Sequence, residues 1–172
     1  MRRVRRRGCA TALSLCVVFV AWVVVGVFAF VYPPSDSVDD VDAVFVLGPA
    51  TYPRIAAANA IVSSHGGDIP LIVSEPASTP CYDESRICVA PEPATTAGEA
   101  AALRDQAEKL GFEHPAVVTF SPHVTRARFI FDRCYGADVA IVGVREPLSF
   151  GEMAYEFAYQ TASFAKAIFA SC

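Results

Sequence analysis

Residues 117–133, VVTFSPHVTRARFIFDR, compress a strand, a tight turn and a charged helix start into one short stretch. Val117, Val118 and Phe120 form the apolar run of a buried strand. Ser121-Pro122 then reads as a helix N-cap followed by proline at the first helical position, which puts His123, Thr125 and Arg126 in the opening turn. An arginine there is misplaced by ~0.3–1 kcal/mol, because aligned peptide dipoles leave partial positive charge at that end. An anion over the turn reverses the sign. The alternative is an arginine that bends out into water. His123 and Arg126 lie three apart on one helix face, so one ligand is within reach of both.

The same strand-then-helix grammar recurs on both sides. AVFVL at 43–47, ended by Gly48-Pro49, reads as a strand buried on both faces. Tyr52-Pro53-Arg54 opens an alanine-rich helix to Ser64, stopped by His65-Gly66-Gly67, so Arg54 also sits in a first helical turn directly after a strand. LIVS at 71–74 is the second strand. Residues 75–94, with Cys81, Cys88 and four prolines, read as a long loop, either a functional lid or a pinned surface excursion. Thr96-Ala97-Gly98-Glu99 matches a capping box before a helix closed by Gly111, a role that by itself accounts for Glu99. DVAIVG at 138–143 is a fourth strand. Residues 149–172 form an amphipathic helix expected to pack against the sheet and not to carry chemistry.

Alternation of this kind predicts a Rossmann-like three-layer α/β domain with a mostly parallel sheet of about four strands and right-handed crossovers. Ligands in such sheets bind beyond the carboxyl ends of the strands. At that rim the polar residues converge: Gly48 and Arg54 after the first strand, Ser74 and Glu75 after the second, Thr119, Ser121, His123 and Arg126 after the third. Thr95, Thr96 and Glu99 open the intervening helix. An anion pocket is the economical reading.

Ahead of the domain, Arg2, Arg3, Arg5, Arg6 and Arg7 precede an uncharged, mainly apolar run at 8–32 ended by Pro33-Pro34. At the helical rise that run exceeds a ~30 Å hydrocarbon core. The organisation expected is a cytoplasmic basic segment (1–7), a transmembrane anchor (8–32), an acidic linker (33–41) and an extracytoplasmic domain (42–172), since arginines stay inside. A cleaved signal peptide is the runner-up, but its apolar region is usually shorter, ~7–15 residues. Beyond the five arginines, nine basic residues face all eighteen acidic ones, which excludes nucleic acid as a partner. The partners expected are the bilayer and an anionic ligand. No Cys/His cluster has zinc spacing, and neither a metal nor a cofactor is expected. Cys81, Cys88, Cys134 and Cys172 fall in an oxidising compartment, where three full pairings are open.

The pieces DAVFVLG with Arg54 downstream, LIVS with Glu75, TTAGEA and VVTFSPHVTRAR resemble the bacterial YdcF-like family, which includes the SanA and ElyC envelope proteins. The resemblance spans residues 42–143. It implies a Rossmann-like fold, an anchored extracytoplasmic setting and a role in cell-envelope or peptidoglycan metabolism. The TTAGEA variant resembles actinobacterial members, and in those relatives a cysteine before this turn accompanies one in the arginine-rich helix. The resemblance thus implies a Cys88–Cys134 disulfide. Where family members commonly carry glycine pairs, this chain has Gly48-Pro49 and Ser74-Glu75-Pro76.

Three functions are weighed. In the first, an enzyme acts on a phosphorylated or otherwise anionic, lipid-linked envelope precursor: Arg54 and Arg126 clamp the anion, His123 is the general acid or base, and Glu99 orients a water or His123. Ser74 and Ser121 lack the GxSxG elbow of a nucleophile. The second is a non-catalytic module that binds or scaffolds an anion. The third, a nucleotide or S-adenosylmethionine binder, rests on layout alone and lacks GxGxxG.

Overall fold

The computed structural model describes the backbone of residues 2–79, 85–136 and 138–172, and the side chains of the described residues from 11 onward. Five strands, β1 (Ala43–Val46), β2 (Leu71–Ser74), β3 (Ile87–Val89), β4 (Pro115–Phe120) and β5 (Ala140–Val144), form one sheet in the order β3-β2-β1-β4-β5. Every neighbouring pair is parallel. The helices are α1 (Arg2–Gly26), α2 (Tyr52–Ser64), α3 (Thr96–Leu110), α4 (Val124–Cys134) and α5 (Phe150–Phe169). Chain order runs outward from β1 to β3, then returns to β4 and β5 on the other side. The strand order therefore reverses between β1 and β4, where an open α/β sheet leaves a crevice.

The continuous apolar runs are explained by burial on both faces. Phe45 and Leu47 share one core with Leu103, Val124 and Phe131 of α3 and α4, whereas Val44 and Val46 share the other with Ala58 and Ile61 of α2. Each such side chain contributes ~1.5–3 kcal/mol on removal from water. This is the expected Rossmann-like α/β class, with one strand more than the sequence suggests. The extra strand, β3, lies inside 75–94: three half-buried residues pair with Ile72, Val73 and Ser74, and Glu75 N–H donates to Val89 O. A run that short carries no period to read. Residues 80–84 of that segment, and with them Cys81, lie outside the described residues.

Three local expectations are corrected. The cap of α3 is Thr95, whose side chain accepts from Gly98 N–H, and Glu99 turns inward instead of closing a capping box with Thr96. A capping box does occur, between Ser149 and Glu152 at the start of α5. Ser121 is not an N-cap: the 3₁₀ turn Ser121–His123 intervenes, and His123 occupies the position before α4. The disulfide is Cys134–Cys172, not Cys88–Cys134, and Cys88 is itself disulfide-bonded elsewhere. Its physical cause is the return of α5 along α4: Arg133 Nη1 donates to Ala167 O and Ile168 O and Nη2 to Ala170 O, which delivers the carboxyl terminus to Cys134. Cys88, on an edge strand with β2, β1 and β4 beyond it, belongs to the other side of the sheet.

The acidic linker is pinned down. Asp36 N–H donates to Ile141 O, the Asp36 carboxylate accepts from Ile141 N–H and Arg128, and Ser35 Oγ accepts from Gly143 N–H. It thus covers the open edge of β5, whose donors an unpaired strand leaves exposed. Before it, Thr11–Val31 is one helical stretch of 21 residues, long and apolar enough to cross a membrane. Its last turn reaches the domain, where Thr125 Oγ1 donates to Ala29 O over 2.5 Å.

Candidate functional site

The starts of α2, α3 and α4 and the carboxyl ends of β1, β2 and β4 meet at the switch point. Glu99, in the first turn of α3, is 7% exposed. Its Oε1 accepts from Gly48 N–H at 2.9 Å and from Ser74 Oγ at 2.8 Å, tying the ends of β1 and β2 to one carboxylate. Gly48 suits this approach, because a Cβ there would crowd Ser74 O at 3.0 Å, while Glu99 Oε1 at 3.6 Å would be in ordinary contact. Burial pushes the Glu99 pKa above the ordinary carboxylate range, although the Gly48 and Ser74 donors and the charges of Arg126 and Arg54 pull it down.

His123 is 6% exposed, in the turn that links β4 to α4. Its Nδ1 shares a 3.0 Å hydrogen bond with the Thr119 hydroxyl, and Nε2 lies 3.5 Å from Thr96 Oγ1. Burial holds its pKa well below that of free imidazole, and the neighbouring Arg126 and Arg54 charges press the same way. The ring is therefore neutral at pH 7. Thr96 Oγ1 also accepts from Arg126 Nη1 at 3.2 Å, so one hydroxyl bridges cation and imidazole. With that oxygen accepting from Arg126, its single hydrogen is free to point at Nε2; in that tautomer Nε2 accepts and Nδ1–H donates to Thr119.

The two arginines part company. Arg54, 5% exposed, donates from Nε to Glu146 Oε1 at 2.6 Å and from Nη1 to Pro49 O at 2.8 Å, and its guanidinium stacks 4.8 Å above the Phe120 ring. The anion that a first-turn arginine calls for is supplied here by the chain itself, with Thr51 Oγ1 donating to the same Glu146 oxygen. Among the described residues Arg126 has no such ion pair. Its Nε donates to Gln160 Oε1 at 2.9 Å, and burial lowers its pKa while Tyr159, Glu99 and Glu156 support the charge. Among the described residues its Nη2 takes no hydrogen-bond partner.

The cluster therefore unites Gly48, Ser74, Thr96, Glu99, Thr119, His123 and Arg126. Thr95 is exposed and spent as a cap, Ser121 is buried without a side-chain cap bond, and Glu75 contributes its backbone to the sheet. Glu99 and His123 share the site without bonding to each other among the described residues. Gln160 is the member that sequence reasoning missed. It is fully buried, and its Nε2 donates to Glu156 while its Oε1 holds Arg126. The available signal was an amide within FAYQTASF, a stretch otherwise free of strongly polar groups. No family model, curated protein or solved structure matches this chain.

Proposed function

We propose that the chain is a membrane-anchored, extracytoplasmic, YdcF-like protein of the cell envelope that acts on an anionic, phosphorylated substrate offered at the bilayer surface. The observation that carries this reading is the bridge from Arg126 through the Thr96 hydroxyl to a neutral, buried His123, at the sheet's switch point and beside the end of the anchor. Arg126 Nη2 meets the anion as a charge-assisted donor, and Gln160 holds the guanidinium in place. His123 acts as general base through the Thr96 hydroxyl, which passes its proton to the unprotonated Nε2 while its oxygen takes one from the attacking water or hydroxyl. Arg54, already neutralised by Glu146, braces the rim and leaves the anion to Arg126.

A binding module without turnover draws on a separate observation: Glu99 is bonded to Gly48 and Ser74 and not to His123, so among the described residues no carboxylate orients the imidazole. Thermal unfolding of the full chain in nanodiscs tests the common core of both readings, with inorganic phosphate, pyrophosphate and a polyprenyl phosphate as probes. Saturation at a hundred times Kd stabilises by ~2.7 kcal/mol, and Arg126→Ala should abolish that shift. A shift that survives Arg126→Ala removes the anion role. Phosphate release that disappears in His123→Gln selects the enzyme, and binding without release selects the module.

A further inference from the structure

We infer that the first two turns of α5 are seated in the outer interface of the lipid bilayer, as a second membrane contact beside the anchor. Helix α5 runs parallel to α4 in a register read from three contacts: Arg126 to Gln160, the Phe129 ring against Phe164, and Arg133 to Ala167. Extended back, that register sets Val124, where α4 begins, opposite residue 158. Residues 150–157 therefore project past the start of α4 by about 12 Å at the helical rise.

What this overhang touches is the anchor. The Phe157 ring lies edge-on to Trp22 with centroids 4.8 Å apart and edge-on to Phe30 at 5.4 Å. It also covers Gly26, where a Cβ would come within 1.9 Å of the ring. Trp22, Gly26 and Phe30 all belong to the Thr11–Val31 span. A helix packed on them shares their depth, so if the span crosses a bilayer, α5 enters its outer margin. The inference rests on that anchoring.

The outward face of α5 suits an interface and not water. Phe150 is 92% exposed, Tyr155 66% and Tyr159 46%, with Ala154 and Ala158 exposed between them. Aromatic rings of this kind gather at the headgroup level, where an amphipathic helix sinks ~5–10 Å. The two acids of these turns are already engaged, Glu152 in the capping box with Ser149 and Glu156 by Gln160 Nε2. The leading N–H groups of the helix thus need less water than a bare terminus. Seated so, α5 turns the Arg126 end of the sheet toward the lipid surface.

Trp22 is the sole tryptophan, which makes the test direct. The full chain is reconstituted in vesicles of phosphatidylcholine brominated on the upper acyl carbons, and compared with Trp22→Phe/Tyr155→Trp and Trp22→Phe/Phe169→Trp. Phe169, at the far end of α5 and 88% exposed, serves as the aqueous control. The expected result is that Trp22 and the tryptophan at 155 lose most of their emission to bromolipid, while that at 169 is quenched only by aqueous acrylamide. If position 155 behaves as 169 does, the helix stands in water and the inference fails while the anchor stands. If position 155 resists both quenchers, a second copy covers it through the Ala154/Ala158/Ala162 stripe, which also overturns the inference. Absence of bromolipid quenching at Trp22 itself removes the anchor and this contact together.

Discussion

Arg54 and Arg126 occupy equivalent places, each in a first helical turn after a strand, yet their surroundings differ by one carboxylate. Glu146 pairs directly with Arg54, whereas among the described residues no carboxylate hydrogen-bonds to Arg126, so the same misplaced charge becomes a brace in one case and an open donor in the other. The titrating members of the cluster are set against each other in a way that pH resolves. The His123 pKa is depressed in the folded chain, so the unfolded chain binds a proton near pH 6.5 that the folded one refuses. Stability is complete above that pH and falls as pH drops, by up to ~1.4 kcal/mol per pH unit for one proton. Glu99 has the opposite sign: its raised pKa favours the folded state at low pH, a benefit lost as pH rises through the folded value. Denaturant unfolding of wild type and His123→Gln between about pH 5 and 7.5 should show the acid-side loss shrinking in the variant. Parallel curves would mean an imidazole that titrates as it does in water.

Among the elements, α5 departs furthest from its reading. Its amphipathic pattern predicts only packing, but it supplies Gln160 to the site, Phe157 to the N-terminal apolar helix and the terminus that reaches Cys134. The crosslink closes a loop with a sequence separation of 38, for which loop-closure entropy predicts about 4 kcal/mol and measured bridges usually deliver ~2–4. Cys172→Ser should therefore lower the unfolding free energy by ~2–4 kcal/mol, read as an earlier denaturant midpoint under non-reducing conditions. An unchanged midpoint would show that the Arg133 contacts alone hold the terminus. The helix starts behave similarly: Thr95 caps α3, and Thr96 faces Arg126 and His123.

At the scale of the whole molecule, the N-terminal apolar helix and the α/β domain form one packed body and not a domain on a free leash. The linker is stitched to β5, and the end of the span is stitched to α4 and α5. Removing residues 1–32 takes away the Trp22 and Phe30 rings that cover Phe157, each edge-on pair being worth ~0.5–1.5 kcal/mol beyond its buried area. The truncated chain should unfold about 1–3 kcal/mol more easily and self-associate, measured by denaturation and sedimentation against the full chain in detergent. Equal stability and a monomeric state would mean that the N-terminal helix adds nothing to the fold of the domain.

Residues 43–47, 71–74 and 117–120 determined the parallel α/β class unaided, because a strand covered on both faces must be apolar without alternation, and that is legible residue by residue. The helix starts after each strand likewise marked the rim where Gly48, Ser74, Thr96, Glu99, Thr119, His123 and Arg126 gather. Tertiary structure alone decided which arginine is neutralised, which cysteine Cys134 meets and that Gln160 belongs to the site. Those outcomes depend on the register of α5 along α4 and on where Glu146 lands beside α2. Registers of that kind are set by packing between segments far apart in the chain, and a local pattern carries no trace of them.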